Sequence, residues 1–380
     1  MSGNFILIAN PENRRVRYFQ EALFRLHLPP AIVVSYEELL SGQISLASVL
    51  QPDSLVRIES PGENFSVEKL LLHQGAAYLG DGLSISHQSI DALENDLGLI
   101  RHPRQWFLGY LKTLSQWEAE LTAFPDVRVM NWPSEIATMF DKIECQQKLA
   151  DAEIPVPMAL GVVRNYQELL ARMAEENISR VFVKIANGSS ASGVVAFEVR
   201  DSIQRAITSV ELVRSGDEVR LYNSLRVRTY IDQQDIGDLI DTLCREAVHV
   251  ESWFEKASFG ESATKEIFDL RVVVIGGRAQ HVVVRQSKSP MTNLHLGNRR
   301  GDLDQVKTRL GSHWSDVMTT CEKVMTLFPG SHYAGIDVAI GADFCSHTVL
   351  EVNAFGDLLP NVEFEGVNTY ESEIKSFITT

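Results

Sequence analysis

The sequence predicts an α/β protein of two or three domains. Three features carry that reading. The chain opens on a β–α–β pattern, its last third holds two β-hairpins with charged residues on one face, and 380 residues exceed what one compact core accommodates.

Composition narrows the partners. The formal charge is −15, from 35 basic and 50 acidic residues, which disfavours a nucleic-acid coat or an anionic membrane, because either calls for a basic face. Cys145, Cys244, Cys321 and Cys345 are scattered and form no C-x-x-C pair, which speaks against a zinc site or a disulfide framework and for a reducing cytoplasm. No basic-then-apolar leader opens the chain, and no apolar run approaches the ~20 residues of a membrane span.

In chain order, Phe5–Ala9 is a short apolar strand, followed by a helical pattern over Arg15–Leu26 and a second strand at Ala31–Val34. A third strand at Leu55–Ile58 ends in the loop Glu59–Glu63, so a small α/β domain over 1–130 is expected, without a dinucleotide glycine fingerprint. The aromatic residues of the helix-like stretch Trp106–Leu121 read as packing, and Arg101 and Arg104 just before it are free to point into a cleft. Val127–Met130 reads as a strand. After Asn131-Trp132-Pro133-Ser134, one amphipathic helix carrying Lys142 is expected to run to about Ala150, where Ile154-Pro155-Val156-Pro157 ends it. The second region is expected to span 131–250. In it, strand Val181–Ile185 carries Lys184, and the loop Asn187–Gly193, with Gly188, Ser189, Ser190 and Gly193, has small residues whose backbone N–H groups can approach an anion. A lysine flanked by Val183 and Ile185 needs a partner, and a phosphate is a natural one. Asp201–Gly216 is expected to be a helix, Glu218–Ile231 a strand, Ile236–Arg245 a helix and Ala247–Phe254 a strand.

The third region, 251–380, holds both hairpins. In Glu266–Gln286 a three-residue loop at Gly276–Arg278 would place Asp269 opposite Arg285 with Arg271 on the same face. A polar loop, Ser287–Asp302, and one helical stretch, Leu303–Leu327, follow. In Tyr333–Pro360, symmetry about Phe344 sets Ile340 opposite Thr348 and Asp337 opposite Glu351. Carboxylates about 5 Å apart repel unless a cation lies between them. Magnesium suits the pair, with Asn353 adding a neutral oxygen.

In order, these pieces resemble the ATP-grasp superfamily and, within it, the RimK-like amino-acid ligases; the whole chain also resembles an uncharacterised bacterial family of such proteins. The ordered set is Asp141-Lys142 before IPVP, Lys184 before the glycine loop, Asp269-Leu270-Arg271, the TNLHLG run, and Asp337 with Glu351-Val352-Asn353. The resemblance covers about 131–360. It implies two α+β lobes clasping ATP, preceded by a Rossmann-like α/β domain. It also implies that Lys142, Lys184 and the glycine loop hold phosphates, that Glu251, Ser252 and Trp253 form the adenine hinge, and that Asp269 contacts nucleotide. Asp337, Glu351 and Asn353 would hold magnesium, or manganese in its place. Arg271 and Arg285 would steady the transferred phosphate, and Asn293 would belong to the substrate loop. The chain departs from the family pattern at Glu251-Ser252-Trp253, at Met291-Thr292-Asn293, where an arginine is missing, at Phe355-Gly356-Asp357, and in a segment near 218–245 that looks inserted.

The function so implied is ATP-dependent joining of a carboxylate, on an amino acid or peptide, to an amine through an acyl phosphate. The rival readings are a nucleotide-binding module without turnover and a kinase that stops at phosphoryl transfer. His295 is the one candidate base, and a homodimer is compatible with the sequence.

Overall fold

The computed structural model describes residues 3–78, 84–188, 192–201, 203–216, 218–260, 264–355, 359 and 361–379. Near the N-terminus a parallel sheet runs in the order Ile32–Ser35, Phe5–Ala9, Leu55–Ile58, Arg128–Val129. Phe5–Ala9 is buried along its whole length, as a parallel strand covered on both faces must be. Helix Arg14–Arg25 starts where the Asn13 side chain accepts from the Arg15 amide, and it buries Val16, Phe19, Ala22 and Leu23. Helix Pro103–Thr122 turns Phe107, Tyr110, Leu114 and Trp117 inward, where Trp117 lies 5.4 Å from the Tyr36 ring.

The central sheet is antiparallel, in the order Ala159–Gly161, Val248–Ser252, Arg180–Ile185, Val194–Arg200, Ile203–Ser215, Glu218–Tyr230. Helices Tyr166–Glu175 and Gln233–Cys244 cover one face, burying Leu169, Met173, Leu239 and Leu243 against Val181, Val183 and Ile185. Alternation therefore sends Phe182 and Lys184 to the opposite face.

The expected helix over Asp201–Gly216 is instead the strand Ile203–Ser215. Ile203, Ala206, Ile207 and Val210 do match a helical stripe. The chain nevertheless pairs on both sides, with Val194–Arg200 and with Glu218–Tyr230, and buries Ala206, Thr208, Ser209 and Val210. Non-local pairing overrides a local period in such a β-branched segment.

The C-terminal sheet runs Arg299–Arg300, Arg278–Ser287, Glu266–Ile275, Tyr333–Ile340, His347–Asn353. Phe268, Leu270, Val272 and Val274, with Ile336, Val338 and Ile340, join one large core that includes Val306, Val317 and Val324 of the covering helices. On the other face Val273, Ile275 and Tyr333 pack with Phe5, Leu7, Phe19 and the C-terminal helix residues Ile374 and Phe377. Beyond that contact, the same face carries Asp269, Arg271, Arg285 and Asp337.

Two expected helices are each broken. Asp141, in extended conformation, separates Pro133–Phe140 from Lys142–Asp151 and caps the second through the amides of Ile143 and Glu144. Gly311, at φ +55°, ends Leu303–Leu310 before His313–Thr326. Both hairpins also contain a bulge. The first turn has two residues rather than three, since Ile275 pairs Arg278, and an irregularity between Val272 and Val274 restores Asp269 opposite Arg285. In the second, Asp337 faces Glu351, but Ile340 faces His347 rather than Thr348, because a bulge between Asp337 and Val338 leaves Leu350 over. Among the described residues no helix is long and apolar enough to cross a membrane.

Helices Phe65–Gly75 and Pro103–Thr122 approach backbone to backbone. A Cβ on Gly109 would sit 1.8 Å from the Leu71 carbonyl oxygen, and one on Gly75 2.0 Å from that of Gln105. Helix propensity alone favours alanine over glycine by about 1 kcal/mol, but overpacking costs about 1–3 kcal/mol or more. Gly109→Ala is thus expected to lower the melting temperature. Gly237→Ala, where the nearest atom to the new Cβ is 3.6 Å away, should leave it unchanged or raise it. Thermal melts of the two variants check the contrast, and a tolerated Gly109→Ala would contradict the close approach.

Candidate nucleotide-binding cleft

The central and C-terminal sheets face one another across a cavity. Its lining includes Lys142, Lys184, Gly188 and Glu251 on one side and Lys256, Asp269, Arg285, Thr292, Asn293, Asp337 and Glu351 on the other. Each charged group reaches the cavity for a local reason. Lys184 is the outward member of the alternation Val181–Ile185, and its ammonium pairs with Glu251 on the neighbouring strand. Burial pushes the Glu251 carboxyl up, but Lys184 and His249, whose Nε2 is 3.2 Å away, outweigh it and hold it at about 2. Lys142 occupies the first turn of its helix because Asp141 caps it. Its Nζ donates to the Gly188 carbonyl at 2.5 Å and lies 2.9 Å from Glu351 Oε1, so one cation touches both walls.

On the C-terminal sheet Asp269 accepts from Arg285 Nε at 2.7 Å, from Lys256 Nζ at 2.8 Å and from the Thr292 hydroxyl. Arg285 Nη2 also reaches Asp337 at 3.0 Å, and Asp337 is bound from two nitrogens by Arg271. Burial opposes charge on Asp269, yet Arg285 and Lys256 drive its carboxyl well below the usual range, and the two aspartates hold the Arg285 guanidinium up in turn.

This pairing corrects one expectation. Asp337 and Glu351 do lie opposite each other in register, but they are not an uncompensated repelling pair, because Asp337 has two arginines and Glu351 has Lys142. Burial raises the Glu351 carboxyl and Lys142, Lys184 and Arg271 more than offset it, so the net shift is downward. The pair with Asn353 still fits magnesium in donor chemistry: two carboxylates and an amide whose nitrogen is committed to the Gly335 carbonyl at 3.1 Å, leaving the oxygen as ligand. No group of three or more His, Cys, Asp and Glu suited to a metal occurs among the described residues, so such an ion would draw its remaining ligands from phosphate and water.

Other candidates are placed differently. Glu251 and Phe254 line the cavity, whereas Ser252 exchanges hydrogen bonds with Met158, and the Trp253 ring packs on Phe182 at 5.0 Å under Arg180. Gly193 has φ +62° and its amide donates to Asn223, while Ser189 and Ser190 lie outside the described residues. Asn293 precedes the short turn Leu294–Leu296 that carries His295, and His295 is not in the lining. Sequence reasoning missed Lys256, which stands in a polar loop without periodicity. Arg104 was singled out without a partner; its Nη1 bonds Asn187 Oδ1 at 3.0 Å and Asp141 Oδ2 at 3.3 Å.

The Glu251 carboxyl titrates near 2 when folded, against an ordinary 4.5, so its pairing stabilises the fold above pH 4.5, by about 3 kcal/mol at most, and is lost as pH falls from 4.5 toward 2. Glu251→Gln should melt below the wild type at pH 7, with the gap narrowing through that acid window. A gap independent of pH, measured by melting from pH 7 to 3, would contradict the pairing.

No family model and no curated protein matches the chain, but solved structures do along its full length. The ATP-grasp ligase PsnB, in complex with a phosphomimetic variant of its minimal precursor, Mg and ADP, superposes with a TM-score of 0.53 at 16% identity, covering 100% of this chain and 99% of that one. D-cycloserine synthetase DcsG gives 0.55 at 13% identity, covering 99% of each. The macrocyclase MdnC from Microcystis aeruginosa MRC, bound with precursor peptide MdnA, gives 0.54 at 12% identity, covering 98% of this chain and 99% of that one. Similarity at such identity is similarity of architecture, and by it the chain has the ATP-grasp fold.

Proposed function

We propose that the protein is an ATP- and magnesium-dependent ligase of the RimK-like kind that joins a carboxylate to an amine, on an amino acid or a peptide-like substrate, in the reducing cytoplasm. One observation carries this reading: Lys142 and Lys184 line the same cavity as Asp337 and Glu351, each lysine paired with an acid that a bound nucleotide would relieve. As ATP enters, its phosphates replace Glu251 as the partner of Lys184 and Glu351 as the partner of Lys142. That exchange would free Glu351 to hold magnesium together with Asp337 and Asn353. Bound magnesium would neutralise the phosphates and favour their transfer. The substrate carboxylate oxygen then attacks the terminal phosphorus and ADP leaves. The amine attacks the acyl carbon, phosphate leaves with the acyl phosphate's bridging oxygen, and the amine loses a proton. Arg271 and Arg285, held by Asp269 and Asp337, would offset the charge on the group in flight, and Asn293 would contact substrate. The names of the structural neighbours, a cycloserine synthetase and two proteins bound to precursor peptides, support a small-molecule or peptide carboxylate and amine.

ATP consumption against a panel of amino acids and peptides, with hydroxylamine present, tests the proposal. ADP with hydroxamate is the expected outcome. AMP would point to adenylation instead, and tight nucleotide binding without product to a binding module.

Two variants probe the exchange. Lys184→Met should weaken ATP binding by a factor corresponding to about 1.5–3 kcal/mol, and should also destabilise the apo protein by stranding buried Glu251. Adding Glu251→Gln should recover stability but not affinity, as melting and calorimetry would report; unchanged ATP affinity removes Lys184 from the site. Glu351→Gln should abolish ADP formation while the fold is retained, since its side chain is 30% exposed. Turnover at the wild-type rate would exclude Glu351 as a metal ligand.

A further inference from the structure

The loop after the central sheet brings a third lysine to the cavity, and its placement is fixed by backbone bonds. Lys256 bridges to Gly341, and next to it the Ala257 amide donates to Ile340 while its carbonyl accepts from Phe268. The Lys256 side chain is 8% exposed. Its Nζ lies 2.8 Å from Asp269 Oδ2 and 3.2 Å from Thr292 Oγ1.

The ion pair with Asp269 does not account for the whole of this arrangement. Asp269 already has a buried guanidinium at 2.7 Å from Arg285, so Lys256 is the second cation on one carboxylate. Its ammonium has three protons, two of which meet Asp269 and Thr292, and it borders the cavity beside Arg285, Thr292 and Asn293. Lys142 and Lys184 approach from the helix and the central sheet, whereas Lys256 stands on the C-terminal sheet among the arginines. We infer that Lys256 contacts the terminal phosphoryl group of the nucleotide, aimed by Thr292. It thereby supplies the cation that the Met291-Thr292-Asn293 loop itself lacks. This assignment rests on the nucleotide reading above.

Calorimetric titration of the full-length protein with Mg·ADP and with Mg·AMPPNP separates the two ideas. Lys256→Met should raise the Kd for AMPPNP about tenfold or more and that for ADP less than about twofold on the same scale; Lys256→Arg, which keeps the cation, should restore most of the difference. If Lys256→Met does not fold, Thr292→Val carries the comparison, with a smaller loss confined to AMPPNP. Equal weakening of both nucleotides, or unchanged AMPPNP affinity in a folded Lys256→Met, overturns the role of Lys256. Failure of the wild type to bind either nucleotide would instead overturn the nucleotide reading itself.

Discussion

Charge compensation inside the cleft is the constraint on which the site depends. Glu251, Asp269 and Asp337 are almost fully buried, and an isolated buried carboxylate is costly enough that it would take up a proton instead. Each therefore has a cation in contact. Lys184 serves Glu251, Lys256 and Arg285 serve Asp269, and Arg271 and Arg285 serve Asp337. The result is a lattice in which no member can be removed alone without stranding its neighbour. On the proposed reading, a phosphate that takes Lys184 from Glu251 leaves that carboxylate with His249, whose Nε2 lies 3.2 Å away.

A second buried pairing joins the N-terminal sheet to the rest. Arg57 is 1% exposed, bonds Glu59 and Glu373 at 2.6 Å each, and lies between the rings of Phe19, Tyr333 and Tyr370. Those partners come from the first sheet, its first helix, the C-terminal sheet and the last helix. Nearby, Arg15 Nη1 donates to the carbonyl of Phe355, two residues past Asn353. The strand that carries the candidate metal ligands is thus tied at its far end to the first helix, and Arg104 makes a comparable link to Asp141 and Asn187.

Much of this was legible in the residues. The strands Phe5–Ala9 and Leu55–Ile58 have the expected bounds, because short apolar runs between turn residues have few other ways to be buried. Asp337 opposite Glu351 and Asp269 opposite Arg285 also follow from the patterns. Each register holds, however, only because a bulge absorbs one residue that the sequence placed in the turn or connector. The strand Ile203–Ser215 was not legible, since its apolar spacing fits a helix and both pairing partners lie elsewhere in the chain. Nor were the breaks at Asp141 and Gly311, where a cap and a left-handed residue interrupt patterns that continue beyond them.

By itself, then, the sequence determined which residues alternate on each strand, and hence that Lys184, Asp269, Arg271, Asp337 and Glu351 occupy the polar faces of otherwise apolar sheets. That is a property of period-two geometry and needs no partner. Only the tertiary structure decided which acid meets which base. Lys142 finds Glu351 across the cleft, Lys184 finds Glu251 on the next strand, and Lys256 finds Asp269 and Thr292. These contacts join groups as far as 209 residues apart, from Lys142 to Glu351, and they are selected by the common requirement that no buried charge remain without an opposite.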